Sequence, residues 1–234
     1  INENDISNLE YFIIPGIDIK SSIKARDFSL AYPSKSYWSA GLHPHEADGL
    51  DDVKQELLSL MQDADLIGET GLDYYRNLSS KENQIKNFEF HINIADDLNK
   101  PLIIHCRDSF SDVFDILSNR NLNNPIILHS WTGGNKWTKK FVELGVYFSI
   151  SGIITYDTAH DLQAAVTKIP TDKLLLETDV PYLAPQPFKG KRNNPTYIKY
   201  TGAKVAELID LTPNELSKIT ITNTNKVMNR ENNE

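Results

Sequence analysis

Cysteine is almost absent from this chain: Cys106 is the only one, so no internal disulfide can form. A fold without cross-links suits a reducing compartment, and the cytoplasm is the expected location. Long apolar runs are missing as well. The longest, such as Tyr11 to Ile17, are strand-sized and far short of a bilayer span, so no membrane association is expected. Positive charge is scarce, with 24 Lys and Arg against 32 Asp and Glu and a formal net charge of -8. That balance excludes a protein that coats nucleic-acid phosphates with basic side chains. It does not exclude an enzyme whose cations are bound metal ions held by acidic side chains. No Ser/Gly/Pro-rich linker, low-complexity tract or fixed-period repeat breaks the 234 residues, and a single monomeric domain over 1–234 is expected. Neither an initiator Met nor a charged-then-apolar leader stands at Ile1, so the domain is expected to be N-terminally incomplete.

What is present is an alternation of short β-branched and aromatic runs with longer segments of helical period, the sign of βαβ units and a parallel sheet. Strands are predicted at Tyr11 to Ile17, Tyr37 to Leu42, Leu66 to Glu69, Leu102 to His105, Ile126 to His129, Val146 to Ile150 and Leu174 to Glu177. Two helix starts are well signalled. Ser79 with Glu82 forms one capping box, and Thr212, Pro213 and Glu215 supply a cap, a first-turn proline and a reciprocal acid. Seven units is one short of a TIM-type (β/α)8 barrel, a fold of typically ~250 residues. The predicted fold is therefore that barrel without its first strand. No glycine-rich dinucleotide fingerprint follows any strand to favour an open doubly wound sheet.

Polar groups interrupt the apolar strands only near their ends. They are Asp18, His43 and His45, Glu69 and Asp73, His105 and Arg107, His129, Ser151, and Glu177 and Asp179. In parallel α/β proteins the carboxyl ends of strands are where ligands bind, so these groups are expected to meet. Glu69, His105, His129 and Asp179 end four different strands. Two imidazoles and two carboxylates suit divalent Mg2+, Mn2+ or Zn2+. Strand alternation places His105 and Arg107 on one face and turns Cys106 toward the helix layer as a small buried hydrophobe. Glu177 and Asp179 likewise share a side, one to bind metal or accept a proton, the other to position substrate or a ligand. Lys189, Lys191 and Arg192 follow the last strand, where barrels often bind phosphate. Tyr74, Trp131 and Tyr182 are candidates for base stacking, although packing is the commoner duty of such residues.

Several segments resemble the signatures of TatD-like metal-dependent DNases, and of the TatD subgroup over Tyr75 to Ser80. They are Ile67 to Tyr74 (IGETGLDY), Pro101 to Asp108 (PLIIHCRD), Leu176 to Leu183 (LETDVPYL), Gly41 to His45, Leu128 to Trp131, Ser151 to Ile153 and Lys191 to Pro195. The resemblance spans essentially the whole chain. It implies that Glu69 is a metal ligand bridging two ions, that His105 and His129 complete one site, and that Asp179 binds metal or serves as general base. Related proteins hold a second ion with a His-x-His pair at the end of the first strand. That pair is absent here, either with a missing first strand or because the protein belongs with relatives that lack it. His43 and His45 belong to a later motif and are assigned to substrate, with Arg107, Arg192 and Glu177.

The expected activity is hydrolysis of phosphodiesters by a metal-activated water, using one or two divalent ions, Mg2+ foremost. The expected substrate is DNA, as single strands or frayed ends, with RNA a further candidate, and the expected mode is exonucleolytic. An amidohydrolase-type esterase acting on an aminoacyl-tRNA or small ester is the alternative within catalysis. A non-catalytic binding barrel is the alternative outside it.

Overall fold

The computed structural model describes residues 3–121 and 123–229. They fall into two compact units, residues 11–128 and the remainder of the described chain.

In the first unit, five strands run parallel, each paired with the next: β1 (Phe12–Ile14), β2 (Ser36–Ala40), β3 (Leu66–Asp73), β4 (Leu102–Arg107) and β5 (Ile126–Leu128). Helices Ile19–Leu30, Leu50–Asp63, Lys81–Asp97 and Phe110–Ser118 connect them. Every residue of β3 is buried, as a strand covered on both faces should be. Leu57, Met61, Phe88, Ile92 and Val113 from the helices, with Leu66, Ile67, Leu102 and Ile104 from the strands, form the core. Burial of this kind stabilises at about 25 cal/mol per Å2 of apolar surface.

In the second unit, β6 (Tyr147–Ile150) and β7 (Leu174–Leu176) pair in parallel, with Phe148 opposite Leu174. Helices Asn135–Glu143, His160–Val166, Ile198–Leu208 and Pro213–Val227 belong to this unit. Its core gathers Trp131, Phe141, Phe148, Ile154, Leu174, Val205 and Leu216. Trp131 is therefore a packing residue. Its indole N–H donates to Thr138 Oγ1 at 2.9 Å, and its ring meets Phe141 and Phe148 edge-on.

Seven parallel strands alternating with helices among the described residues is the TIM-type (β/α) pattern with one strand fewer than eight. The predicted runs coincide with the strands, with corrections at their ends. β3 does not stop at Glu69 but continues to Asp73, because Thr70 to Asp73 pair with Ile104 to Arg107. β7 ends at Leu176, so strand alternation does not govern Glu177 and Asp179 as expected; Asp179 sits at φ 56°, in the left-handed region. The Thr212 and Glu215 capping box is present. The first one is displaced: Ser80, not Ser79, caps the helix by accepting from the Asn83 amide. Ser79 Oγ instead donates to the His45 carbonyl and accepts from the Asp48 amide, tying down the loop after β2.

Candidate metal centre

Two glycines set the path of β3. Gly68 and Gly71 hold φ of +117° and +128°, and a Cβ there would meet the Ile103 and His105 carbonyl oxygens at 2.5 and 2.1 Å. Only glycine lets β3 lie this close to β4 while its pairing register shifts between Ile67 and Thr70. Glu69 lies in that shift, its amide donating to the Gly16 carbonyl at 2.8 Å. Its side chain is thereby aimed from a fixed backbone.

Glu69 Oε1 lies 3.1 Å from His105 Nδ1 and 3.3 Å from His43 Nε2. Asp73 stands behind His105. Its Oδ2 accepts from His105 Nε2 at 3.0 Å and from His45 Nε2 at 2.9 Å, and its Oδ1 accepts from the Tyr75 and Arg76 amides at 3.0 and 2.8 Å. Burial by itself would raise the Asp73 pKa. The hydrogen bonds from His105, the Arg76 amide and His45 outweigh it and hold this carboxyl well below the usual carboxylate range. His43 is 9% exposed, and burial lowers its pKa, although the Glu69 carboxylate works in the opposite direction.

A second layer locks the backbone under these groups. Gln84 accepts from the Asp73 amide and donates to the Asp73 and Ser79 carbonyls, all within its fully buried side chain's reach. His91 Nε2 accepts from the Leu42 amide at 3.0 Å, and Asn87 donates to the Leu42 carbonyl at 2.7 Å. Leu42, the residue immediately before His43, is therefore held through both its amide and its carbonyl.

His43, Glu69 and His105 offer three ligand atoms within 4.8 Å of one another. Imidazole nitrogen with carboxylate oxygen fits a borderline or hard divalent cation, and the residues present fit such an ion. Arg107 is exposed, its guanidinium 4.0 Å from the Tyr75 ring centroid. Cys106 points inward, as expected, and burial raises its thiol to about 12, which makes it unreactive. Tyr74 is engaged with its own neighbours, donating to Asp112 at 2.7 Å under the Lys81 ammonium.

In the second unit His129 Nδ1 donates to Glu177 Oε1 at 3.1 Å. Asp179 occupies a turn closed by the Tyr182 amide on its carbonyl at 2.8 Å. That turn is held by Asn193, a buried residue whose amide donates to the Thr178 and Tyr182 carbonyls at 2.5 and 2.6 Å. Arg192 is exposed and lines a pocket of about 300 Å3 with Asp5, Val180, Asn194 and Tyr197. Tyr182 is exposed, while Lys189 lies over the Tyr156 ring.

Sequence reasoning missed Asp73, Gln84, Asn87, His91 and Asn193 as supports. Of these only Asp73 shows in the sequence, as a polar group just past an apolar run, and its place in β3 comes from pairing with β4.

A parallel α/β fold with imidazoles and carboxylates at the carboxyl ends of its strands is the build of a metal-dependent hydrolase. Comparison with known proteins agrees, and it supplies the family: the TatD related DNase family model matches residues 1–229, and the chain belongs to that family. It is 34% identical over 225 residues to the uncharacterized metal-dependent hydrolase YabD of Bacillus subtilis, covering 94% of this chain and 87% of that protein. With the uncharacterized metal-dependent hydrolase YcfH of Escherichia coli it shares 37% identity over 188 residues, covering 80% of this chain and 71% of that one. Among solved structures, the TatD homolog YJJV of Escherichia coli superposes with a TM-score of 0.87 at 25% identity, covering 94% of this chain and 86% of that chain. The expected family and the TIM-type fold class are both borne out.

Proposed function

We propose that this chain hydrolyses phosphodiester bonds of DNA, removing nucleotides from single-stranded or frayed ends in the cytoplasm, with RNA ends as further substrates. Glu69, His105, His129 and Asp179 would hold one or two divalent cations, Mg2+ foremost with Mn2+ or Zn2+ as substitutes. When bound, such a cation would lend Lewis acidity to the phosphoryl oxygens and lower the pKa of water. The protein's own groups do the rest. Asp179 would take the proton of the attacking water and return it to the leaving oxygen as the phosphorus–oxygen bond breaks, and Glu69 would help hold the cation. Arg107 and Arg192 bind phosphate oxygens, and His43, His45 and Glu177 border the substrate.

The observation that carries this reading is the buried Glu69 carboxylate, 6% exposed, with an imidazole nitrogen 3.1 Å away whose opposite nitrogen is bound by a second carboxylate. Such imidazoles are the usual ligands of catalytic metal sites. The family label points to DNA.

The test is an end-labelled single-stranded oligonucleotide incubated with protein stripped by EDTA, then resupplied with Mg2+, Mn2+ or Zn2+. Metal-dependent release of mononucleotides is the expected result. Cleavage of an aminoacyl ester in place of the oligonucleotide would replace the substrate assignment with that of an esterase. Absence of either activity under all three metals would contradict catalysis.

A further inference from the structure

The nitrogen that a histidine presents to a ligand is decided by what its other nitrogen is doing. Both ring nitrogens of His105 face carboxylates, Nδ1 toward Glu69 and Nε2 toward Asp73. The two carboxylates are not equivalent. Asp73 Oδ2 receives two imidazole nitrogens, and Oδ1 receives two backbone amides. An ionised carboxylate only accepts, and this one is filled from every side. It cannot turn to bind a cation, and the nitrogen facing it must carry a proton.

We propose that Asp73 is a positioning residue for metal binding: by accepting the Nε2 proton of His105 it commits Nδ1 to the cation beside Glu69, and the same oxygen fixes His45. This rests on the reading of Glu69 and His105 as metal ligands. The same logic assigns His43 the opposite duty. The His45 amide donates to His43 Nδ1 at 3.2 Å, so a neutral His43 carries its proton on Nε2, the nitrogen 3.3 Å from Glu69 Oε1. His43 is a hydrogen-bond donor to Glu69 and not a third ligand, although its nitrogen lies in the cluster. In the second unit Glu177 takes the Nδ1 proton of His129, which makes Nε2 the ligand nitrogen there.

Asp73→Asn separates this role from a structural one. The amide oxygen can still accept from the Tyr75 and Arg76 amides and keep the turn, but its NH2 then faces His105 Nε2 and demands the other tautomer, with the proton on Nδ1. Calorimetric titration of the full metal-free chain with Zn2+ should show affinity weakened about 10–100-fold. His43→Ala, which removes a donor to Glu69, should weaken Zn2+ binding by no more than about 10–100-fold, whereas His105→Ala should abolish tight binding. If the unaltered protein takes up no Zn2+, the metal reading itself falls. If it binds Zn2+ and Asp73→Asn, still folded by circular dichroism, binds as tightly, the positioning role alone is overturned. A measurement on the unaltered chain covers the case of a variant that does not fold. Long-range 1H–15N correlations of the Zn2+-loaded protein should place the His105 proton on Nε2, and a proton on Nδ1 would overturn the assignment.

Discussion

The two units set the same pair of groups, an imidazole against a carboxylate, on different kinds of backbone. In the first unit Glu69, Asp73 and His105 belong to hydrogen-bonded strands, and Gln84 grips Asp73 through both its amide and its carbonyl. In the second, His129 and Glu177 each stand one residue beyond a three-residue strand, and Asp179 lies in a turn held by Asn193. In the first unit the pair is placed by a sheet, and in the second by side-chain clamps on irregular chain. Local rigidity can come from either source, but damage should travel differently. A clamp lost from a sheet-based site should cost stability and chemistry together, because strand and ligand share one backbone.

The largest effect that sharpens this contrast is expected for Gln84→Ala. It removes three buried hydrogen bonds and leaves the Asp73 amide unsatisfied, at about 1–3 kcal/mol for each orphaned group. Asn223→Ala, in the second unit, strips donors from the Thr171 and Leu174 carbonyls and should cost about 2 kcal/mol. Urea unfolding monitored beside Zn2+ affinity should show both quantities falling for Gln84→Ala and only stability falling for Asn223→Ala. Equal loss of affinity in the two variants would break the comparison.

Next in size is a pH effect confined to the first unit. Burial lowers the His91 pKa to about 4 from an ordinary 6.5. Below pH 6.5 the unfolded chain takes up a proton that the folded chain refuses until about pH 4, so the stability fully present above 6.5 is lost as pH falls toward 4. Between pH 7 and pH 5 the loss should be about 2 kcal/mol. Thermal melting across that range should fall steeply in the native chain and less steeply in His91→Gln; parallel curves would contradict the account. The smallest effect is expected at the surface of the second unit, where Thr212→Ala removes a capping box and should cost about 1 kcal/mol in urea unfolding with no change in Zn2+ affinity.

The same contrast explains how much could be read from the sequence. Strand runs and their polar ends were visible because an apolar segment that stops at His105 carries its own period. Alternation turned Cys106 inward correctly. Asp73 was seen as a polar group near a strand end but not as a partner of His105, because a strand ending at Glu69 leaves Asp73 in a loop. Its membership in β3 depends on cross-strand pairing, a non-local fact. Beyond Leu176 no period exists to follow. Only the motif itself marked Glu177 and Asp179, and nothing local in the sequence announces that Asn193 reaches back to hold their turn. Ser79 and Ser80 show the finer limit: adjacent serines offer equal caps, and the loop after β2 claims the first of them.

Every role proposed for the first unit depends on Glu69 gripping a cation beside His105. Titrating the native chain and Glu69→Gln with Zn2+ side by side, with circular dichroism to verify the fold, tests it most directly. The prediction is tight binding by the native chain and a loss in the variant exceeding the ~10–100-fold that an outer hydrogen-bond partner costs. A correctly folded Glu69→Gln that binds Zn2+ as tightly as the native chain would contradict it.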